Sequence, residues 1–246
     1  MKKSLLVLVA CVLACVSAMA QVKYNLKVNG IDVTSENAAS ITGDGITGAV
    51  SYDAASNVLT LENAIVKATG GTNALTSKND GLTIKLVGEN HMTSTNASAV
   101  CFFNKATITG TGSLSVSAGN STGIQVIDYS LDITGGCSIS ATGIGGIAGM
   151  MGNEILNINA SNVVASGFVF GAISDINVNL VDCKIDSGSY SGDDVTIVST
   201  AAGIHSAVVY DKATAPVFNL NGMRLSGVPA KGLYIKNGKK VIANGK

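Results

Sequence analysis

The sequence predicts an all-β fold: a single-stranded parallel β-helix of about six coils with a 20–25 residue repeat, an N-terminal hairpin cap and a small C-terminal antiparallel β-module. Three observations predict it. Short segments of apolar-polar alternation recur at a nearly constant interval, the mark of strands with one buried face. Glycine is abundant, at 29 of 246 residues, whereas proline occurs only twice. No long stretch carries apolar residues three and four apart, so helical solenoids are excluded.

Composition narrows the class. With 46% hydrophobic and 13% charged residues the chain is too apolar for a disordered one. Its net charge of zero gives no basic footprint for nucleic acid.

Residues 1–20 read as a secretory signal. Met1-Lys2-Lys3 supplies the positive start, Leu5 to Val16 an apolar run shorter than a membrane span, and Ser17-Ala18-Met19-Ala20 the small-residue site before cleavage between Ala20 and Gln21. The expected destination is outside the cytoplasm, at the cell surface, in the medium or in the periplasm. The segments ending at Cys15 and Cys11 resemble a lipobox, a less favoured alternative that would anchor the protein by a lipid. No transmembrane span is expected. Cys101, Cys137 and Cys183 lie far apart without a C-x-x-C pair, which argues against a disulfide framework or zinc site.

Residues 21–57 form the expected cap and first strands. Tyr24, Leu26 and Val28 alternate on one strand, Asn29-Gly30 makes a type I′ turn, and Ile31 and Val33 alternate on the other. Residues 58–210 then carry the repeat. Alternating segments begin at Val58, Leu82, Ala106, Leu131, Ile155 and Ile176, and marker residues Leu61, Ile84, Ile108, Ile133, Ile158 and Val178 are separated by 23, 24, 25, 25 and 20 residues. Corners such as Gly110-Thr111-Gly112 and Gly135-Gly136-Cys137 break each unit. A third apolar patch recurs at Ile124-Gln125-Val126, Ile147-Ala148 and Phe168-Val169-Phe170, giving three strands and three corners per coil. Phe102, Phe103, Phe168 and Phe170 are assigned to the interior or to end plugs. The frequent Asn residues fit either stacked amide ladders or solvent-facing positions, and the second is the expectation taken here. Coils about 4.8 Å apart place Cys137 and Cys183 roughly 10 Å from one another, too far for a disulfide.

Residues 211–246 change character. They hold seven Lys or Arg against one acid, while residues 21–210 hold seven basic against fifteen acidic, so the zero net charge is a cancellation. Two Asn-Gly turns, at 221–222 and 237–238, predict an antiparallel β-module after Pro216.

Two stretches carry a resemblance. YNLKVNGIDVTSENAASITGDGITGAVSYDAASNVLTLENAIV, residues 24–66, resembles the opening unit of exported right-handed parallel β-helix proteins of gut Bacteroidetes, of the carbohydrate-binding-domain-containing type. PVFNLNGMRLSGVPAKGLYIKNGKKVIANGK, residues 216–246, is similar to the type IX secretion sorting domain, although the usual second half after the Gly-x-Tyr-Ile strand is missing. The resemblance implies an exported protein, a glycan as the partner and secretion machinery as a partner of the tail.

Chemistry is sparse by comparison. Ser191-Gly192-Asp193-Asp194 resembles the acidic element of polygalacturonase-like glycosidases, where neighbouring acids act as general acid and base. The companion N-T-D, G-H-G and R-I-K motifs are missing, and His205 lies only eleven residues beyond Asp194. The only Arg is Arg224, so the coils lack the cationic base of a pectate-lyase site. His91 has no second His at metal spacing, and no cofactor or metal is expected. Glycan binding would use exposed rings, for which Tyr129, Tyr190 and Tyr210 are the candidates. The reading is therefore a non-enzymatic, adhesin-like or glycan-interacting surface protein. A carbohydrate-active enzyme using Asp193 and Asp194 is the first alternative, and a structural spacer the second.

Overall fold

The computed structural model describes residues 21–201 and, after them, 217–219, 224–225, 231–236 and 239–244. The signal segment with Ala20, Cys11 and Cys15, and also His205 and Tyr210, lie outside the described residues. The chain divides into a first compact unit ending at Ala201 and a second from Ala202 to Lys246.

The first unit begins with β1 (Lys23–Val28) and β2 (Ile31–Thr34), paired antiparallel through Val28 and Ile31. Asn29 and Gly30 have φ of 49° and 75°, the left-handed pair that a two-residue I′ turn requires. β3 (Ile46–Asp53) then pairs antiparallel with β4 (Val58–Ala68). From β4 onward the chain winds in parallel coils. The strands are β5 (Leu75–Ser77), β6 (Leu82–Val87) and β7 (Glu89–Ser94), then β8 (Val100–Phe102), β9 (Ala106–Gly110) and β10 (Ser113–Ala118). They continue through β11 (Ile124–Val126), β12 (Ser130–Ile133), β13 (Ser138–Ala148), β14 (Ile155–Asn159) and β15 (Asn162–Ser174). β16 (Asn177–Val181), β17 (Cys183–Gly188) and β18 (Asp194–Ser199) end the unit. Among the described residues there is no helix.

The solenoid makes about five turns, close to the expected six. Its first face stacks β4, β6, β9, β12, β14 and β16 in parallel. The second stacks the end of β4 on β7, β10 and the first halves of β13 and β15. The narrow third face stacks β5, β8, β11 and the ends of β13 and β15. Alternate residues point inward, so columns of aliphatic side chains fill the interior. Leu59, Ile84, Ile108, Ile133 and Ile158 are all 0% exposed, and each buried Leu or Ile contributes about 2 kcal/mol from removal of apolar surface from water.

This column corrects the register of the first and last markers. Leu59, not Leu61, lies on Ile84, and Leu180, not Val178, lies on Ile158. Both residues of each pair face inward, so periodicity within one strand cannot choose between them.

Corners are held by side chains as well as by glycine. Glu154 is buried at the corner before β14, and its Oε1 accepts hydrogen bonds from the backbone N–H of Asp128 at 3.1 Å, Met150 at 3.0 Å and Met151 at 2.8 Å. Ser161 lies between the two thiols predicted to be two coils apart: the Cys137 thiol contacts its hydroxyl at 3.9 Å and the Cys183 thiol its carbonyl at 3.4 Å. All three described cysteines are free.

The amides also depart from expectation. Asn179, Asn157 and Asp132 form a hydrogen-bonded ladder on the outside of the first face rather than separate solvated positions.

In the second unit, β19 (Val217–Phe218), β20 (Arg224–Leu225), β21 (Lys231–Lys236) and β22 (Lys239–Asn244) form an antiparallel sheet in the order β20-β19-β21-β22. This is the antiparallel module expected of the basic tail.

Candidate functional site

The third apolar patch does not continue where the sequence placed it. On the third face Ile124 pairs with Ile147 and Ile147 with Ile173, so Ala172-Ile173 is the inward strand. The preceding residues loop out. Gly143 is in register with Gly167 and Gly145 with Gly171, so one residue of the upper coil, Ile144, is matched by three below it: Phe168, Val169 and Phe170. These three are 66%, 60% and 56% exposed. Phe168 and Phe170 are therefore surface residues rather than interior ones. Phe103, at 36% exposed, departs in the same direction, whereas Phe102 is fully buried as expected.

The loop is narrow because its two feet nearly touch. A Cβ on Gly167 would be driven into the carbonyl oxygen of Gly171. A second segment staples both feet. Gly167 N–H donates to the carbonyl of Asp193 at 2.8 Å, Ala172 N–H to Gly192 at 2.7 Å and Ile173 N–H to Tyr190 at 2.9 Å. The turn from Gly188 to Asp194 thus lies directly against the aromatic loop, and it brings with it three residues selected from sequence: Tyr190, Asp193 and Asp194.

Their environments differ. Tyr190 is half-buried against the core, and burial pushes its phenol above the ordinary range. Asp193 and Asp194 are exposed, and Asp194 opens β18 opposite Ser166 of β15. Neighbouring residues entering a strand alternate sides, so adjacency in sequence does not by itself create a facing acid and base. Three residues past Gly171, the hydroxyl oxygen of Ser174 is buried without a hydrogen-bond partner.

Tyr129 stands elsewhere. It is 49% exposed at the corner that leads into β12, and its carbonyl accepts from Ile155 N–H at 3.3 Å. Met150 and Met151, 54% and 61% exposed, occupy the same corner one coil on. One coil earlier, Lys78 Nζ lies 5.2 Å from the centre of the Phe103 ring. Tyr129 and Tyr190 therefore occupy different corners and form no common platform.

His91 lies on the outside of the second face in a row with Ser115, Ser140 and Val164. This row lines a shallow groove of about 420 Å³ that also includes Ser113, Ser138 and Asn162. The groove reaches β15, whose next residues along the chain lead through Ser166 to Phe168. Among the described residues no three His, Cys, Asp or Glu side chains are grouped to hold a metal ion, and no helix is long and apolar enough to cross a membrane.

The arrangement offers two exposed rings on a backbone-fixed loop beside the turn that carries Asp193 and Asp194. Rings of this kind stack on the C–H faces of sugars, and carboxylates accept hydrogen bonds from hydroxyls. Sequence reasoning missed Phe168 and Phe170 because an apolar run between glycines looks like an inward strand. The available signal was spacing: Ile124 to Ile147 is 23 residues, but Ile147 to Ile173 is 26. Comparison of the chain with known protein families, curated proteins and solved structures returns no match.

Proposed function

We propose that the protein is a non-enzymatic, exported β-helix that acts at the cell surface or outside the cell and contacts glycans through the corner formed by Phe168, Phe170, Tyr190, Asp193 and Asp194. One observation carries the reading: two exposed phenylalanines on a loop braced by backbone hydrogen bonds, next to the Asp193-Asp194 turn. The signal-like N-terminus and the resemblance to exported carbohydrate-binding β-helix proteins support the destination and the ligand class. The serine-rich groove beside the corner offers hydroxyls to a polysaccharide, and its carboxylate, Glu89, together with the arginine-free coils, is poorly suited to a polyanion. The C-terminal module is assigned to engagement of the secretion machinery.

The test is a binding screen against neutral polysaccharides and surface glycans, comparing the wild type with the double variant Phe168→Ala/Phe170→Ala. Two ring contacts worth about 0.5–1.5 kcal/mol each predict a loss of about 5- to 150-fold. Unchanged binding by the double variant contradicts the site. Release of reducing or unsaturated sugar ends, abolished by Asp193→Asn or Asp194→Asn, would establish the enzyme reading in its place. Absence of any binding would favour a spacer.

A further inference from the structure

The two ends of the solenoid are finished differently. At the N-terminal end β1 lies antiparallel on β5, and β3 lies antiparallel on β4. At the other end β18 lies antiparallel on β15, with β17 on its far side, so the second face is also covered. The first face ends at β16, and among the described residues no strand pairs with its far edge.

Backbone geometry shows which groups that edge presents. Asn177 N–H donates to the carbonyl of Glu154 at 2.9 Å, and the carbonyl of Val181 accepts from Ala160 N–H at 3.0 Å, so the odd-numbered residues bond back to the preceding coil. Along a strand these groups alternate sides, which leaves the N–H and C=O of Val178 and Leu180 pointing outward. Their side chains follow the inward columns of Leu156 and Ile158. Those two are 0% exposed because β16 covers them, whereas Val178 and Leu180 are only partly buried and Ile185 is 43% exposed.

Open edges in natural sheets are usually guarded by a lysine, a proline or a bulge. The β16 sequence, Asn-Val-Asn-Leu-Val, contains none of these. Around it the last coil is acidic: Asp175, Asp182, Asp186, Asp193 and Asp194 are exposed against the single cation Lys184.

We infer that β16 is a docking edge for an extended segment of a partner protein in which apolar residues alternate with lysine or arginine. Strand addition supplies main-chain partners for Val178 and Leu180, alternate apolar side chains extend the inward columns, and the basic residues meet the aspartate rim. Acidity of the rim selects this partner over a second copy presenting the same end, since like charges would then face each other.

The experiment titrates the full chain with a short synthetic peptide alternating valine and lysine and follows amide hydrogen exchange at Val178 and Leu180. Exchange is expected to slow about tenfold or more at saturation, and an equivalent valine-glutamate peptide is expected to leave it unchanged. Leu180→Pro removes an outward N–H without touching the bonds to β14 and is expected to abolish binding of the peptide. Asp182→Asn/Asp186→Asn changes only exposed charges and is expected to weaken it several-fold. Equal protection by both peptides, or by neither, overturns the inference. So does protection already present in the free monomer, which would mean that the chain covers its own edge, or protection that rises with protein concentration, which would identify a second copy as the occupant.

Discussion

Asn179 donates from its Nδ2 to the Oδ1 of Asn157 across a 3.0 Å hydrogen bond, although the two residues are 22 positions apart in the chain. Asn157 passes the contact on, donating to Asp132 Oδ1 at 2.5 Å, and Lys105 Nζ lies 3.6 Å from Asp132 Oδ2. Residues in register on successive coils thus become a vertical ladder along the outside of the first face. Asn157→Ala should cost about 1 kcal/mol in urea unfolding, the net worth of hydrogen bonds in a partly solvated site. Asn157→Asp should cost more at neutral pH, because it sets a carboxylate against Asp132, and added salt should recover part of the loss.

Acid should act at Glu154. Burial alone would push its pKa up, but the backbone N–H groups of Met151, Met150 and Asp128 outweigh that and hold it at about 2 against an ordinary 4.5. A carboxylate whose pKa is lowered by folding stabilises the folded state above its unfolded value and loses that contribution as pH falls through the folded one. Unfolding free energy should therefore decline between pH 4.5 and about 2. In Glu154→Gln that decline should flatten, with a loss of about 1–3 kcal/mol at neutral pH as charge-assisted bonds become neutral ones. An unchanged slope would remove Glu154 from the account.

Two glycines should respond differently to alanine. At Gly167 the added Cβ meets the backbone oxygen of Gly171, so the aromatic loop has to open. At Gly136, with φ of 81°, nothing lies within 4 Å and only backbone strain remains. Gly136→Ala should cost about 1–2 kcal/mol, and Gly167→Ala distinctly more, with glycan binding lost alongside stability. Thermal unfolding of the pair, measured together with binding, separates the two effects.

Thiol labelling probes the interior. Burial pushes the Cys101 thiol up to about 11, the nearby Lys78 offsetting only part of this, and burial also raises Cys137. Cys183 is only half-buried. Labelling at pH 8 in the folded protein should reach Cys183 first, and Cys101 and Cys137 only on unfolding. Mass spectrometry after a timed pulse reads the order directly.

Regular coils were legible in the sequence because Ile84, Ile108, Ile133 and Ile158 each occupy the same pleat of a repeat whose length barely changes. The first and last coils were less so. Leu59-Thr60-Leu61 and Val178-Asn179-Leu180 each offer two inward residues, and only contact with the neighbouring coil selects the partner of Ile84 or Ile158. Of the site, Tyr190, Asp193 and Asp194 were visible as residue types, but what gathers them is a set of backbone hydrogen bonds to Gly167, Ala172 and Ile173, which no side-chain pattern records. Phe168 and Phe170 were misread for a related reason. Apolarity states what a residue prefers, whereas a two-residue insertion opposite Ile144 decides where it can go.

Binding of neutral polysaccharides by the full chain and by Phe168→Ala/Phe170→Ala, measured side by side with their thermal stability, shows whether the two exposed rings make the glycan contact. Exposed positions predict a stability change within about 0.5 kcal/mol. The wild type is expected to bind, while the double variant keeps its stability and loses affinity by about fivefold or more. Equal affinity in a folded double variant would exclude Phe168 and Phe170 from the contact.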